Sequence, residues 1–218
     1  IVCSSIMRSV IPLASHMTSI LISTLFYIYT HAVQRKSNSI VKLLLESGVD
    51  PNFGSVPPLL FAAKGYQTEV AQLLLDHGAN VNKQAPDGST PLYSICYQGE
   101  NSTRTVLMVN LLTGAGADVN AAKHDGYTPL LGVAHENSEL SPAAKCVMSR
   151  LIQCGADVHK SLSNGMTPIH LYTEWNNVEA VVILLEAGAD PHIQANDGRN
   201  ALAMAKSKKM KDVFKGFF

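Results

Sequence analysis

The chain has 218 residues, of which 46% are hydrophobic and 16% are charged. This composition excludes an intrinsically disordered chain, and the length is sufficient to bury a sizeable core. The 17 Lys and Arg residues balance the 17 Asp and Glu residues, so no global charge would steer the protein onto nucleic acid or anionic lipid. We therefore expect no nucleic-acid partner.

The N-terminal segment, residues 1–26, is apolar and poorly specified. No Asp, Glu, Lys or Arg occurs in residues 9–34, and the most apolar stretch is "ILISTLFYI" at residues 20–28. A membrane-spanning helix needs about 20 predominantly apolar residues, and Pro12, His16 and His31 interrupt this one. We expect no membrane contact, although anchoring through residues 9–34 stays open as an alternative.

Two short strings recur along the rest of the chain. The first occurs as "LLLESGVDPN" at 43–52, "LLLDHGANVN" at 73–82, "LLTGAGADVN" at 111–120, "LIQCGADVH" at 151–159 and "LLEAGADPH" at 184–192. The second occurs as "PPLLFAA" at 57–63, "TPLYSIC" at 90–96, "TPLLGVA" at 128–134, "TPIHLYT" at 167–173 and "NALAMAK" at 200–206. The chain is therefore an array of similar units.

Each unit contains the signals for two helices and a turn. A Thr-Pro pair begins the first helix, because threonine caps the terminus and proline is tolerated in the first turn. A glycine ends the second helix, since it readily takes a positive φ. The glycines concerned are Gly48, Gly78, Gly116, Gly155 and Gly188. Pairs such as Asp87-Gly88 and Asp125-Gly126 then predict a tight hairpin before the next unit.

This pattern resembles the ankyrin repeat, most fully in "TPIHLYTEWNNVEAVVILLEAGA" at residues 167–189. The resemblance implies an all-α solenoid of stacked helix pairs with β-hairpin-like links. We place five repeats, called units one to five, at residues 27–56, 57–89, 90–127, 128–166 and 167–199, followed by a C-terminal capping repeat at residues 200–218. Five lysines in residues 206–215 predict a solvated outer face for the cap.

Several units depart from the pattern. Unit one has Tyr27–Thr30 and unit two has Pro57 where the family has its Thr-Pro motif. Units three and four carry extra residues near 99–104 and 137–143. We expect both insertions to lengthen the connection between the paired helices, because surface insertions cost little closure entropy.

The sequence contains no motif that predicts catalysis. There is no G-x-S-x-G, no glycine-rich phosphate loop and no H-E-x-x-H, and we predict no enzyme activity, no cofactor and no metal site. The cysteines Cys3, Cys96, Cys146 and Cys154 form no CxxC pair. They predict free thiols in a reducing, intracellular compartment, cytoplasmic or nuclear, with the last three buried in apolar runs.

The resemblance implies that another protein binds on the concave surface made by the hairpin tips and the exposed ends of the first helices. When the family's binding positions are carried over one by one to this sequence, the surface centres on the large side chains Tyr97, Tyr127, Met166 and Trp175. Its polar rim consists of Asp87, Asp125, His135, Glu136, Glu174 and Arg199. The acidic rim favours a partner with basic and apolar contact residues. Packing of Trp175 inside the array is an equally weighted alternative.

The leading hypothesis is therefore a non-catalytic protein–protein interaction scaffold. One alternative is a membrane-tethered ankyrin protein, and another is a targeting or adaptor fragment of a larger enzyme complex such as a ubiquitin ligase. Asn82 and Asn120 end strings that resemble the known substrates of asparaginyl hydroxylase, so both are candidate modification sites.

Overall fold

The computed structural model describes residues 27–35, 37–98, 102–133 and 139–217, and these ranges contain helices and turns but no strand. The helices lie at residues 27–34, Asn38–Glu46, Pro58–Lys64, Thr68–Asp76, Pro91–Gln98, Thr103–Gly114, Pro129–Gly132, Pro142–Gln153, Pro168–Glu174, Val178–Glu186, Ala201–Met204 and Lys208–Phe217. The all-α prediction is thus confirmed. Each range assigned to a unit contains two helices, while the boundaries between units stay a prediction. The segment 1–26 lies outside the described residues.

Threonine and glycine act at the helix ends as their residue types predict. The Thr90 hydroxyl oxygen accepts a hydrogen bond from the Tyr93 N–H at 3.1 Å, and that of Thr128 accepts one from the Leu131 N–H at 3.4 Å. Gly188, just after a second helix, has a φ of 88°. This conformation is strained for residues with a Cβ atom.

The core is a continuous row of aliphatic side chains between neighbouring units. Leu74, Leu112, Leu151 and Leu184 occupy the same position in successive second helices, and each has 0% of its surface exposed. The equivalent Leu44 in unit one is only partly buried, since no described unit packs on its outer side. Stability is therefore shared between neighbours, as expected for a repeat array.

The insertion in unit three lengthens helices more than the connection between them. Its second helix, Thr103–Gly114, has 12 residues, whereas Thr68–Asp76 in unit two has 9. The second helix of unit four, Pro142–Gln153, also has 12 residues and begins at the cap Ser141, whose side chain accepts from the Ala144 N–H at 3.1 Å. The expectation of longer connections is therefore mainly wrong for unit three, because added residues extend an existing helix at little cost. In unit four it agrees with the helix bounds, since nine residues separate Gly132 from Pro142 whereas three separate Lys64 from Thr68 in unit two; residues 134–138 of this connection lie outside the described residues.

The hairpin turns pack directly against one another. In the turn of unit two, the Ala85 N–H donates to the Ser89 carbonyl at 2.9 Å, and the Gly88 N–H donates to the Ala85 carbonyl at 2.9 Å. Gly88 has a φ of 83°, and a Cβ atom built there would lie 2.8 Å from the backbone nitrogen of His124. Only glycine fits, so the turn chemistry also sets how closely the next hairpin approaches.

Surface and burial follow the predictions with two exceptions, Cys146 and Cys154, of which Cys154 is partly buried. The cap helix Lys208–Phe217 buries Met210 and Phe214 and exposes the lysines of its outer face. Cys96 is buried, and burial raises the pKa of its thiol above the usual value. Cys146 is exposed, contrary to the prediction, because it occupies the solvent-facing position that Leu107 takes in unit three.

Replacing Leu184 with alanine is expected to lower the free energy of unfolding by about 2–5 kcal/mol, because the side chain is fully buried and its removal leaves a cavity. The matched control is Leu43→Ala at a position 66% exposed, which should change stability by less than about 0.5 kcal/mol. Urea denaturation followed by circular dichroism measures both. Equal losses for the two variants would contradict the core assignment.

Candidate functional site

A cavity of about 270 Å³ lies where the hairpin tips before units three and four meet the ends of two first helices. We call it the tyrosine cavity. It is lined by Lys64, Asp87, Ser89, Tyr93, Ser94, Tyr97, Gln98, Lys123, Asp125 and Tyr127. The lining residues come from units two and three, so neither unit forms it alone.

Three tyrosines supply the aromatic surface of the cavity. Tyr93 and Tyr97 lie one turn apart on the helix Pro91–Gln98, and their rings stack with centroids 5.8 Å apart at an interplanar angle of 17°. Tyr93 is 5% exposed and Tyr97 is 46% exposed. Burial, and secondly the nearby charge of Asp125, raise the pKa of the Tyr93 phenol above its usual value, so it stays a neutral hydroxyl.

Asp87 is held in place by its own hairpin. Its Oδ1 accepts from the Ser89 N–H at 3.0 Å, and its Oδ2 accepts from the Ser89 hydroxyl at 2.6 Å. The hydrogen bond from the Ser89 hydroxyl is the main cause that lowers the pKa of this carboxyl below its usual value. Asp87 therefore carries its negative charge at neutral pH, in a fixed orientation.

Asp125 and Lys123 form an ion pair inside the cavity. The Lys123 Nζ lies 3.0 Å from Asp125 Oδ2 and 6.0 Å from the centroid of the Tyr93 ring. Partial burial alone would raise the pKa of Asp125, but the Lys123 hydrogen bond and the Tyr127 N–H lower it below its usual value. The bond to Asp125 in turn raises the pKa of the Lys123 ammonium.

The cavity brings together four of the predicted binding residues, namely Asp87, Tyr97, Asp125 and Tyr127. Sequence reasoning missed the contributions of Tyr93 and Lys123. The spacing of Tyr93 and Tyr97 on one helix would have revealed the first, because residues four apart share a face. Lys123 begins its hairpin where the equivalent residues Ala85 and Leu162 are uncharged, and this was the available signal.

The other predicted residues do not line the cavity. Met166 is partly buried and Glu174 is exposed, while Arg199 is exposed and paired with Asp197 at 2.7 Å. His135 and Glu136 lie outside the described residues.

Trp175 is partly buried against the core, and its ring meets the Tyr172 ring edge-on at 5.5 Å. Counted from Thr90 and Thr167, the equivalent of Tyr97 is Glu174 and that of Trp175 is Gln98. Tyr97 and Trp175 therefore occupy different positions in their units and do not line up in one row along the predicted surface.

The candidate modification sites belong to a row of turn residues that bridge neighbouring units. The Asn82 side chain donates to the Gly116 carbonyl at 3.2 Å and accepts from the Asp118 N–H at 2.7 Å. Asn120 repeats both bonds to unit four, at 2.9 Å and 2.7 Å. Asn82 is exposed and Asn120 is partly buried. We call these side chains, with Asn52 and His159, the turn ladder.

A second depression, the outer groove, lies between the second helices of units two and three. Its lining residues are Thr68, Glu69, Gln72, Leu73, Asp76, Leu107, Asn110 and Leu111. Leu107 is 54% exposed there. This groove has a larger volume than the tyrosine cavity, about 680 Å³, but no aromatic residue lines it.

Comparison with known families decides what kind of array this is. A family model described as "Ankyrin repeats (3 copies)" matches residues 30–123, 102–194 and 143–217. The chain belongs to the ankyrin-repeat family. Ankyrin repeats form protein–protein interaction scaffolds and are generally non-catalytic.

Curated relatives are similar to this chain over part of their length. Neurogenic locus notch homolog protein 2 from Homo sapiens is 32% identical over 145 residues, which are 63% of this chain and 5% of that protein. Palmitoyltransferase AKR1 from Lachancea kluyveri is 27% identical over 174 residues, which are 77% of this chain and 22% of that protein. The chain thus spans less than a quarter of either relative.

The described part of the ankyrin array contains neither a metal-binding cluster nor a membrane-spanning helix. No group of three or more His, Cys, Asp or Glu side chains there is arranged to hold a metal ion. Nor does that part contain a helix with the length and apolar character needed to cross a membrane.

Replacing Trp175 with alanine is expected to lower the free energy of unfolding by about 1–2 kcal/mol, less than the roughly 3–5 kcal/mol of a fully buried ring. The physical reason is its contact with the core and with Tyr172. Tyr97→Ala, at a position 46% exposed, is the control and should lower the free energy of unfolding by less than Trp175→Ala does. Thermal melts compare them. An unchanged melting temperature for Trp175→Ala would show that its packing contributes nothing.

Proposed function

We propose that this chain is a non-catalytic scaffold that binds another protein through the tyrosine cavity and the surface around it. The observation that carries the proposal is the convergence of three tyrosines and two fixed carboxylates in one cavity formed by two neighbouring units. Tyrosine supplies a large contact area together with a polar hydroxyl, which is why it is enriched in binding hot spots.

The chemistry of the cavity favours a partner with basic and apolar contact residues. Asp87 and Asp125 are held in place by their own hairpins and are ionised at neutral pH. The stacked rings of Tyr93 and Tyr97 provide a flat apolar surface beside them. An arginine or lysine fits both features, because its aliphatic stem covers an aromatic ring while its charge meets a carboxylate.

The contact surface extends in our proposal from the cavity toward unit five. Met166, Glu174 and Arg199 continue it along the hairpin tips and first-helix ends, and Trp175 contributes the part of its ring that remains exposed. An apolar centre with a polar rim is the usual arrangement of a protein interface. The membrane-tethered and adaptor alternatives would use this same surface and differ in what is attached to the array.

A peptide selection tests the binding surface. We would select binders from a random peptide display library against the immobilised chain and measure the affinity of the selected peptides by calorimetry. We expect sequences rich in Arg or Lys next to apolar residues, with affinity reduced about tenfold or more by Tyr97→Ala, as for a hot spot. Leu107→Ala, in the outer groove, is the matched control and should leave the affinity unchanged.

The opposite pattern would overturn the proposal. Peptides that lose their affinity with Leu107→Ala and keep it with Tyr97→Ala would assign binding to the outer groove. Peptides of acidic character would contradict the proposed partner chemistry.

We further propose that Asn82 and Asn120 are substrates of an asparaginyl hydroxylase, because both end strings that resemble its known substrates. Asn82 is the more exposed of the two, so we expect the higher occupancy there. Mass spectrometry of protein co-expressed with the hydroxylase should detect one added oxygen on the Asn82 peptide, and Asn82→Ala should abolish it. Both asparagines unmodified by an active hydroxylase would contradict the proposal.

A further inference from the structure

The tyrosine cavity already holds one cation, which belongs to the protein itself. The ammonium of Lys123 lies 3.0 Å from Asp125 Oδ2 and 6.0 Å from the centre of the Tyr93 ring. An opposite charge and an aromatic face are the two features that stabilise a bound ammonium or guanidinium group. The position of this side chain therefore marks a cation subsite within the cavity.

We propose that a single arginine or lysine side chain of the partner takes over this subsite, and that Lys123 is an internal occupant that swings out when the partner binds. This inference rests on the proposed function, since it specifies the contact made at the same surface. It identifies the ligand class as one cationic side chain and identifies Lys123 as the residue that competes with it.

Charge balance supports one incoming cation. The cavity is lined by the two carboxylates Asp87 and Asp125 and by the two ammonium groups of Lys64 and Lys123. Its lining is therefore neutral while Lys123 stays inside. Departure of Lys123 leaves one uncompensated negative charge, which a single cation restores to balance, whereas a second cation would be repelled by Lys64.

The position of Lys123 in its hairpin allows it to leave without refolding. Its backbone N–H donates to the Tyr127 carbonyl at 3.0 Å, and its carbonyl accepts from the Gly126 N–H at 2.8 Å. These bonds hold the hairpin whatever the side chain does. The side chain itself is 27% exposed, so rotation about its own bonds brings the ammonium into solvent.

Asp125 stays oriented after Lys123 leaves. Its Oδ1 still accepts from the Tyr127 N–H at 3.2 Å, and its Oδ2 becomes available to the incoming donor. A volume of about 270 Å³ accommodates a side chain rather than a helix. The same cavity contains two lysines, so an acidic group is the competing ligand class, and the experiment includes it.

A titration with a minimal cationic probe tests the proposal. We would record amide NMR spectra of the full chain while adding N-acetyl-arginine amide, with the neutral isostere N-acetyl-citrulline amide as the matched control and acetate as the acidic probe. The expected result is that the arginine probe alone shifts the amide signals of Ser89 and Tyr127. Asp125→Asn, which keeps the Oδ1 acceptor but removes the charge, should abolish the shifts.

The competing role of Lys123 is tested by Lys123→Met, which keeps the stem and removes the charge. We expect this variant to bind the arginine probe about two- to fivefold more tightly, because an exposed ion pair contributes a free energy of that size. The control is Lys145→Met, which breaks the remote pair with Glu179 and should leave the affinity for the probe unchanged. Lys123→Gln serves as a second neutral variant if the methionine variant does not give a native spectrum.

Three results would overturn the inference. The first is equal affinity of the wild type and both neutral Lys123 variants for the arginine probe. The second is equal shifts with the arginine and citrulline probes, and the third is binding of acetate instead. If the selected peptides still lost their affinity with Tyr97→Ala in any of these cases, the proposed function would stand and only the cation subsite would be rejected.

Discussion

The hydrogen bonds of the turn ladder set the register on which the rest of this array depends. At each junction from unit one to unit four, an asparagine amide donates to the glycine carbonyl that ends a helix in the next unit, and its oxygen accepts a backbone N–H there. An amide is suited to this task because it carries a donor and an acceptor on one short side chain. Apolar packing alone is non-directional, whereas these paired bonds fix one relative position of neighbouring units.

The fixed register gives the array a surface that no unit has alone. Asp87 and Asp125 lie on successive hairpins, and the backbone bond from the His124 N–H to the Asp87 carbonyl, at 3.3 Å, joins those hairpins directly. The first helix of unit three then brings Tyr93 and Tyr97 against both. Specific chemistry thus arises from the alignment of two neighbouring repeats, although each of them individually follows a common pattern.

Repeat-determined features could be predicted from the sequence, and features of single side chains could not. The Thr-Pro starts recur in units three to five, and the Gly stops and the leucine row recur in all five units, so the copies support the same interpretation. Tyr93 was overlooked because it occupies the position of His170, a buried structural residue in unit five. For Trp175 the sequence left a contact role and packing equally open, and the structure shows its ring against Tyr172. Such choices depend on neighbours from other units, which spacing along the chain does not reveal.

The junction between units four and five is supported in a different way. His159 replaces the asparagine of the turn ladder and contributes one bond, in which its Nε2 accepts from the Asp190 N–H at 3.2 Å. The same junction contains a buried bond from the Tyr172 hydroxyl to the Leu130 carbonyl at 2.6 Å. Water can replace the exposed hydrogen bonds of the turn ladder one at a time, which permits gradual fraying of the array. Water cannot reach a buried hydrogen bond unless the two units separate. The C-terminal end of the array is therefore expected to detach as one block, in an all-or-none step.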